Sequence, residues 1–455
     1  MMTGIILSLI AVLEQAFRNL RLDIPAAVLE DLAVTVHRAM SVEGRHYHTP
    51  EHVLSLSSAE NPIQTLAALF HDIVYYQVDR GFSSEVLEII WPYIGFDTSV
   101  DAELSPAEMT RADDCCYRMA MDIFGFTTGQ KLYSTPGFNE FLSALVMTEK
   151  LRNLVPTKTL LQVIVYIEAT IPFRGKDEAG CTPFERLEQR LRKVSRDYGA
   201  GLSEAEIEET VRGAVIFANK DVENFAEKAP AYFLDNTWKL MPETNLALRS
   251  GEIYSIRDYR LALQKTDAHF SQVIPENVFH TYKGMPPTDQ YWDLVRYTRH
   301  NIHTARIYLG IKLLTIAILE ALAECSGGDA PLSLFMGDVH QEGEGARGLG
   351  DFLPQPLTHP EIDPGSVVYD LLETGRASHP EFTDLRNSPL SLFIYRSLGQ
   401  ARVVEALEHA RAMFDGLLES EQFLEQLDPE LLSVIARACA VMVPTRSEKL
   451  NHFVK

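Results

Sequence analysis

Apolar residues recur at three- and four-residue intervals through 5–20, 25–40, 62–75, 139–152, 158–170, 203–220, 255–272, 291–323, 390–418 and 428–442. That spacing lays an apolar stripe along one side of a helix, whereas a strand needs alternation. Sustained alternation is nearly absent, so the pattern predicts an all-α body. Three helix starts carry a further signal: Thr49 before Pro50, Asn61 before Pro62, and Ser255 with Asp258 three residues on. A short polar side chain there accepts from an early orphan N–H, and proline lacks the N–H that would go unused. The Pro- and Gly-rich stretches 282–290 and 326–365 read as loops. The second is long enough to be a lid, an inserted irregular subdomain or a connector. There is no internal repeat. A boundary near 235–245 divides the chain into residues 1–240 and a helical C-terminal extension, 241–455.

Charge narrows the partners. The 455 residues carry a net charge of −22, from 41 basic and 63 acidic side chains, which repels nucleic-acid phosphates and anionic membrane surfaces. Five cysteines, odd in number and with no C-x-x-C pair, fit a reducing cytoplasm. The run "GIILSLIAVL" at 4–13 has no basic residue before it, and Glu14, Arg18 and Arg21 follow it. An amphipathic first helix is expected there instead of a signal segment. The apolar run 307–323 is interrupted by Lys312 and Glu320, which makes it a buried core helix instead of a membrane span.

Two fragments carry the candidate chemistry: "RHYHTPEHVLSL" at 45–56 and "TLAALFHDIVYY" at 65–76. A helix opening at Thr49-Pro50 puts His52 in its first turn, with Tyr47 and His48 on the entering loop. The next helix carries His71 and Asp72 near its end, between Leu69-Phe70 and Ile73-Val74. An ionised carboxylate in that apolar setting needs a partner or a cation. Two imidazole nitrogens and a carboxylate oxygen form a donor set suited to Zn²⁺, Fe²⁺ or Mn²⁺. A single His or Asp on a helix is more often packed or solvated than a ligand; it is the joint pattern that points to a metal.

Tyr47-His48-x-x-x-His52 followed by His71-Asp72 resembles the HD superfamily of metal-dependent phosphohydrolases. The first spacing is similar to that of cyclic-nucleotide phosphodiesterases, and "FHDIVY" to a group of bacterial HD phosphohydrolases; the resemblance spans residues 30–225. It implies an HD-domain helical bundle holding a divalent ion (Zn, Mn, Fe or Mg) on His52, His71, Asp72 and a later aspartate, with Asp72 at the reaction centre and His48 protonating the leaving oxygen. Asp221, in "VIFANKDVENFA", resembles the late aspartate segment, although Asn219-Lys220 interrupt the usual sequence. Glu168 competes for that place, orients a ligand from behind or stands among the substrate-binding residues.

Arg174, and Arg299 with His300 at the start of the long helix, are candidates to meet a substrate phosphate. Asp79 and Ser83, in the loop after the HD pair, are candidates to reach the substrate. "RGFSSE" replaces the acidic continuation usual in the bacterial group, which leaves the substrate open. The expected function is hydrolysis of a small-molecule phosphomonoester or phosphodiester, nucleotides included, with homo-oligomerisation undecided. Two other readings share the scaffold: a degenerate HD module that binds a ligand and regulates a partner, and a di-iron oxygenase. The oxygenase needs further histidines for a second iron, and none lies between His71 and His269.

Overall fold

A computed structural model of the chain describes residues 2–97, 105–109, 113–131, 135–249, 253–337, 348–355, 358–376 and 388–455. The described residues form an all-α protein with one small hairpin. They fall into two compact units, Met1–Ala226 with Ile274–Arg296, and Glu227–Val273 with Tyr297–Lys455.

The first unit begins with α1 (Met2–Asn19), α2 (Ala26–Met40), α3 (Pro50–Leu56), α4 (Pro62–Phe70), α5 (Tyr76–Asp79) and α6 (Ser84–Ile90). The strands β1 (Ile94–Asp97) and β2 (Ser105–Met109) follow, then α7 (Cys115–Phe124), α8 (Phe138–Leu151), α9 (Thr157–Ala169), α10 (Pro183–Asp197) and α11 (Glu204–Asp221). The strands pair antiparallel, Ile94 opposite Met109, with a bulge between Gly95 and Phe96. In α1 the buried positions are Leu9, Leu13, Ala16 and Phe17, one stripe of an amphipathic helix. α9 is instead buried on nearly every side and forms the centre of the unit. Around it Phe70 of α4, Phe141 of α8 and Val215 of α11 are wholly shielded. Each such side chain contributes about 1.5–3 kcal/mol of burial free energy.

Helix ends follow local chemistry. The Asn61 side chain accepts from Gln64 N at the start of α4, and Ser203 with Glu206 closes a reciprocal cap on α11. Thr49 precedes α3 in extended conformation, but its side chain makes no capping bond. The helix expected over 62–75 stops at Phe70. Its continuation is intercepted by α8: Ser143 Oγ accepts from Val74 N, and Asn139 Oδ1 accepts from Tyr76 N, both at 3.1 Å.

The chain does not divide at a single cut near 240, because Ile274–Arg296 belongs with the first unit. Asn219 exchanges two hydrogen bonds with the His280 backbone, both of 2.9 Å, and Lys283 meets Glu188 and Glu208 on α10 and α11.

The second unit contains α12 (Pro230–Thr244), α13 (Ile256–Gln272), most of α14 (Thr288–Ser326), α15 (Leu332–Met336), α16 (Val367–Glu373), α17 (Pro389–Phe414), α18 (Ser420–Glu425), α19 (Pro429–Met442) and α20 (Ser447–Leu450). Ser255 and Asp258 form the expected cap on α13. The apolar part of α14 is a buried core helix, and its Glu320 is paired with Arg260 at 2.7 Å. Among the described residues no helix is long and apolar enough to cross a membrane. α17 breaks at Gly399, where φ is 76° and a Cβ would stand 2.6 Å from His359 Nδ1, so only glycine fits. The expected loop over 326–365 contains α15 and a 3₁₀ turn, Leu349–Phe352; its residues 338–347 and 356–357 lie outside the described residues.

Candidate metal centre

Three segments of the first unit bring their titratable side chains to one place. His52 comes from the first turn of α3, His71 caps the C-terminal end of α4 with Asp72 beside it, and Asp221 ends α11. His71 Nε2 lies 3.0 Å from Asp72 Oδ2 and 3.3 Å from Asp221 Oδ1. His52 Nε2 is 3.3 Å from the same Asp221 oxygen and 3.8 Å from Asp72 Oδ2. One donor atom each of His52, His71 and Asp72 falls within 4.8 Å of the other two. His48 stands at the edge, Nε2 3.9 Å from Asp72 Oδ2, its ring edge-on to those of Tyr47, His52 and Tyr75.

The tautomer of His71 follows from its neighbours. Its Nδ1 lies 2.9 Å from the Ala68 carbonyl, and a carbonyl only accepts, so Nδ1 carries a proton and Nε2 is the nitrogen turned toward the acids. The Nε2 atoms of His52 and His71 are both shielded from solvent without a properly directed hydrogen bond. Buried polar atoms are normally satisfied. Two orphaned nitrogens aimed at two carboxylates form the donor set a divalent ion takes.

Electrostatics agree. Burial pulls the His71 imidazole down, but Asp72 and Asp221 outweigh it and hold it well above its usual value. Burial raises Asp72, and His71, His48 and His52 reverse this to leave it far below the carboxylate range. Asp221 is likewise raised by burial and drawn down to about 2 by His71 and His52. A proton on His71 thus offsets the acids where a dication would do the same.

Asn219 and Lys220, which interrupt the motif, fix its position. Asn219 ties the end of α11 to His280, and Lys220 Nζ donates to the Ser55 carbonyl on α3 at 2.7 Å. The acid one residue later is thereby brought to His52.

Glu168 stands elsewhere. It is fully buried, and its Oε1 meets Arg174 Nη1 at 2.6 Å and Arg190 Nη2 at 2.5 Å. Arg174 also donates to the Ile171 and Glu168 carbonyls, so both groups are engaged in structure. Arg299 and His300 are exposed on α14, in the residues of the second unit. Ser83 caps α6 by accepting from Val86 N.

Two features escaped the sequence reading. Arg45 has a wholly buried side chain whose Nε and Nη2 grip both Asp79 oxygens at 2.8 and 2.6 Å, while Nη1 donates to the Asp72 carbonyl at 2.8 Å. Asp79 also accepts from Tyr75 N, so it is committed to this clamp and not to substrate. The signal was an arginine directly preceding the histidine cluster. The second feature is half-buried Glu140 in the first turn of α8. Burial pushes its carboxyl up to about 7, with Asp72 adding to this and Arg174 and His71 opposing it. An acid inside an otherwise apolar run was its only mark.

Set against family models, curated proteins and solved structures, the chain matches none of them.

Proposed function

We propose that the first unit is a metal-dependent phosphohydrolase of HD type, acting on a phosphomonoester or phosphodiester of a small molecule. The observation that carries this reading is the pair of orphaned, inward-facing Nε2 atoms of His52 and His71 between the carboxylates of Asp72 and Asp221. Those four side chains would hold a divalent ion, Zn²⁺, Mn²⁺, Fe²⁺ or Mg²⁺, which when bound supplies Lewis acidity toward a phosphoryl oxygen and an activated water.

The chain's own groups do the rest. His71 is locked in one tautomer by Ala68, and Asp72 is held at its carbonyl by Arg45, so neither ligand must reorganise on binding. His48 is beside the cluster but farther from Asp72 than His71 is. It would give a proton to the leaving oxygen, a role worth about 10²–10⁴ in rate.

The test combines elemental analysis of the purified protein with a panel of phosphatase and phosphodiesterase substrates, with and without chelator. The expected result is stoichiometric metal and chelator-sensitive turnover. His52→Ala should empty the site, and His48→Ala should keep the metal and slow turnover. Full metal content in His52→Ala, or activity indifferent to thorough chelation, overturns the reading. Metal without turnover on any substrate would favour a ligand-binding module instead.

A further inference from the structure

The segment that carries Asp72 has a second side, and a cavity of about 450 Å³ lies there, bounded by Ile73, Val74 and Asp79. None of the four metal-site side chains lines it. Val42, Phe82 and Val146 supply apolar wall, and Arg38, in the last turn of α2, and Arg80, just after α5, supply positive charge. Both arginines are exposed, and neither guanidinium group has a hydrogen-bond or ion-pair partner among the described residues.

The acids of the same wall are already balanced from behind. Asp79 is gripped by Arg45 through two bonds, and Glu85 is paired with Lys150 at 2.5 Å and accepts from Thr35 at 3.2 Å. The charge left uncompensated at the cavity is therefore that of two guanidinium groups, in a chain whose net charge is −22. The volume falls in the size class of small-molecule sites, which join apolar walls to a few convergent polar groups. Guanidinium pairs match phosphate and carboxylate oxygens in both charge and planar donor geometry.

We propose that this cavity is a second ligand site, separate from the metal centre, for a small amphipathic anion. A phosphate- or carboxylate-type head would meet Arg38 and Arg80, and an apolar body would lie against Val42, Phe82 and Val146.

Calorimetric titration of the chelator-treated full chain tests this with three probes: benzylphosphonate, which carries no hydrolysable ester, phenylacetate, and neutral benzyl alcohol. One of the two anions should bind at one site per chain and the alcohol should not; which anion binds identifies the head group. The double variant Arg38→Ser/Arg80→Ser should weaken binding by about tenfold or more, as expected for lost charge-assisted bonds. Filling the cavity with Ala39→Phe should abolish binding, and His71→Ala should leave it unchanged. Asp79 is kept intact because it also supports Asp72. The proposal is overturned if neither anion binds up to about 10 mM. It is equally overturned if the double arginine variant binds like the wild type, or if binding disappears in His71→Ala, which would place the anion at the metal cluster.

Discussion

The first unit buries carboxylates in two ways. Glu168 is closed by Arg174 and Arg190 at hydrogen-bond distance. Asp72 and Asp221 face imidazoles whose buried nitrogens lack directed partners. In the first arrangement the carboxylate is met by guanidinium donors, although Arg190 Nε is left without a partner; in the second the nitrogens nearest the acids are the unpartnered atoms. Burial of charge alone therefore does not mark a functional site. What sets the second apart is a pair of ligand-type nitrogens facing two carboxylates, since donors already saturated by the protein have nothing left to offer a ligand.

The comparison breaks most visibly at its structural half. Glu168→Gln should destabilise the protein by about 3 kcal/mol in urea unfolding, since it leaves two guanidinium groups short of their counter-charge. Metal content should not change. The proposed metal centre should respond in the opposite manner: at a free ion concentration of 100 times Kd, adding metal to the chelated protein should stabilise it by about 2.7 kcal/mol. His71→Ala should erase that increment. A thermal shift that survives in His71→Ala would assign the ion to another site.

Arg45→Lys sharpens the comparison further, because a lysine cannot grip both Asp79 oxygens and the Asp72 carbonyl at once. Metal affinity should fall by about 10- to 100-fold, the range for an orienting partner of a ligand. Competition with a fluorescent chelator reads this directly.

The smallest expected effect is a dependence on pH. The Glu140 carboxyl is raised from 4.5 to about 7. In the metal-free protein the folded state therefore holds a proton that the unfolded chain has released. Its contribution to stability must fall as pH rises from 4.5 and level off above 7. Glu140→Gln should remove that slope and leave the variant more stable than the wild type at pH 8. A slope identical in both proteins would place the titration elsewhere.

Most of the helical architecture was legible in the sequence because the stripe and the caps repeat the same message. α8, α9, α11, α13, α14 and α19 lie within a few residues of the expected segments. α10 was missed: only Phe184, Leu187, Leu191 and Val194 mark its buried stripe, among many charges. Its Thr182-Pro183-x-Glu185 start, a reciprocal cap in the structure, was the available signal. The end of α4 was placed late because periodicity does not see Ser143 and Asn139 capturing the donors of Val74 and Tyr76. At the site, the histidines and Asp72 were legible as a local motif. The choice between Asp221 and Glu168 was not, since it depends on where α11 ends and which arginines turn inward. Arg45 and Glu140 owe their roles to neighbours brought in by the fold.

Asp221 emerges about 150 residues after Asp72, and Ile274–Arg296, which braces the end of α11, emerges later still. At synthesis rates of about 5–20 residues per second, the last carboxylate follows the first by roughly 8–30 seconds. A nascent chain thus carries the imidazoles and the first acid of the cluster without the last for at least that interval. Lys220 ties the end of α11 to Ser55 and Asn219 ties it to His280, so the full bracing of Asp221 waits until residue 280 has also been made. If the cluster takes up a divalent ion as proposed, its full donor set is assembled late in the birth of the polypeptide.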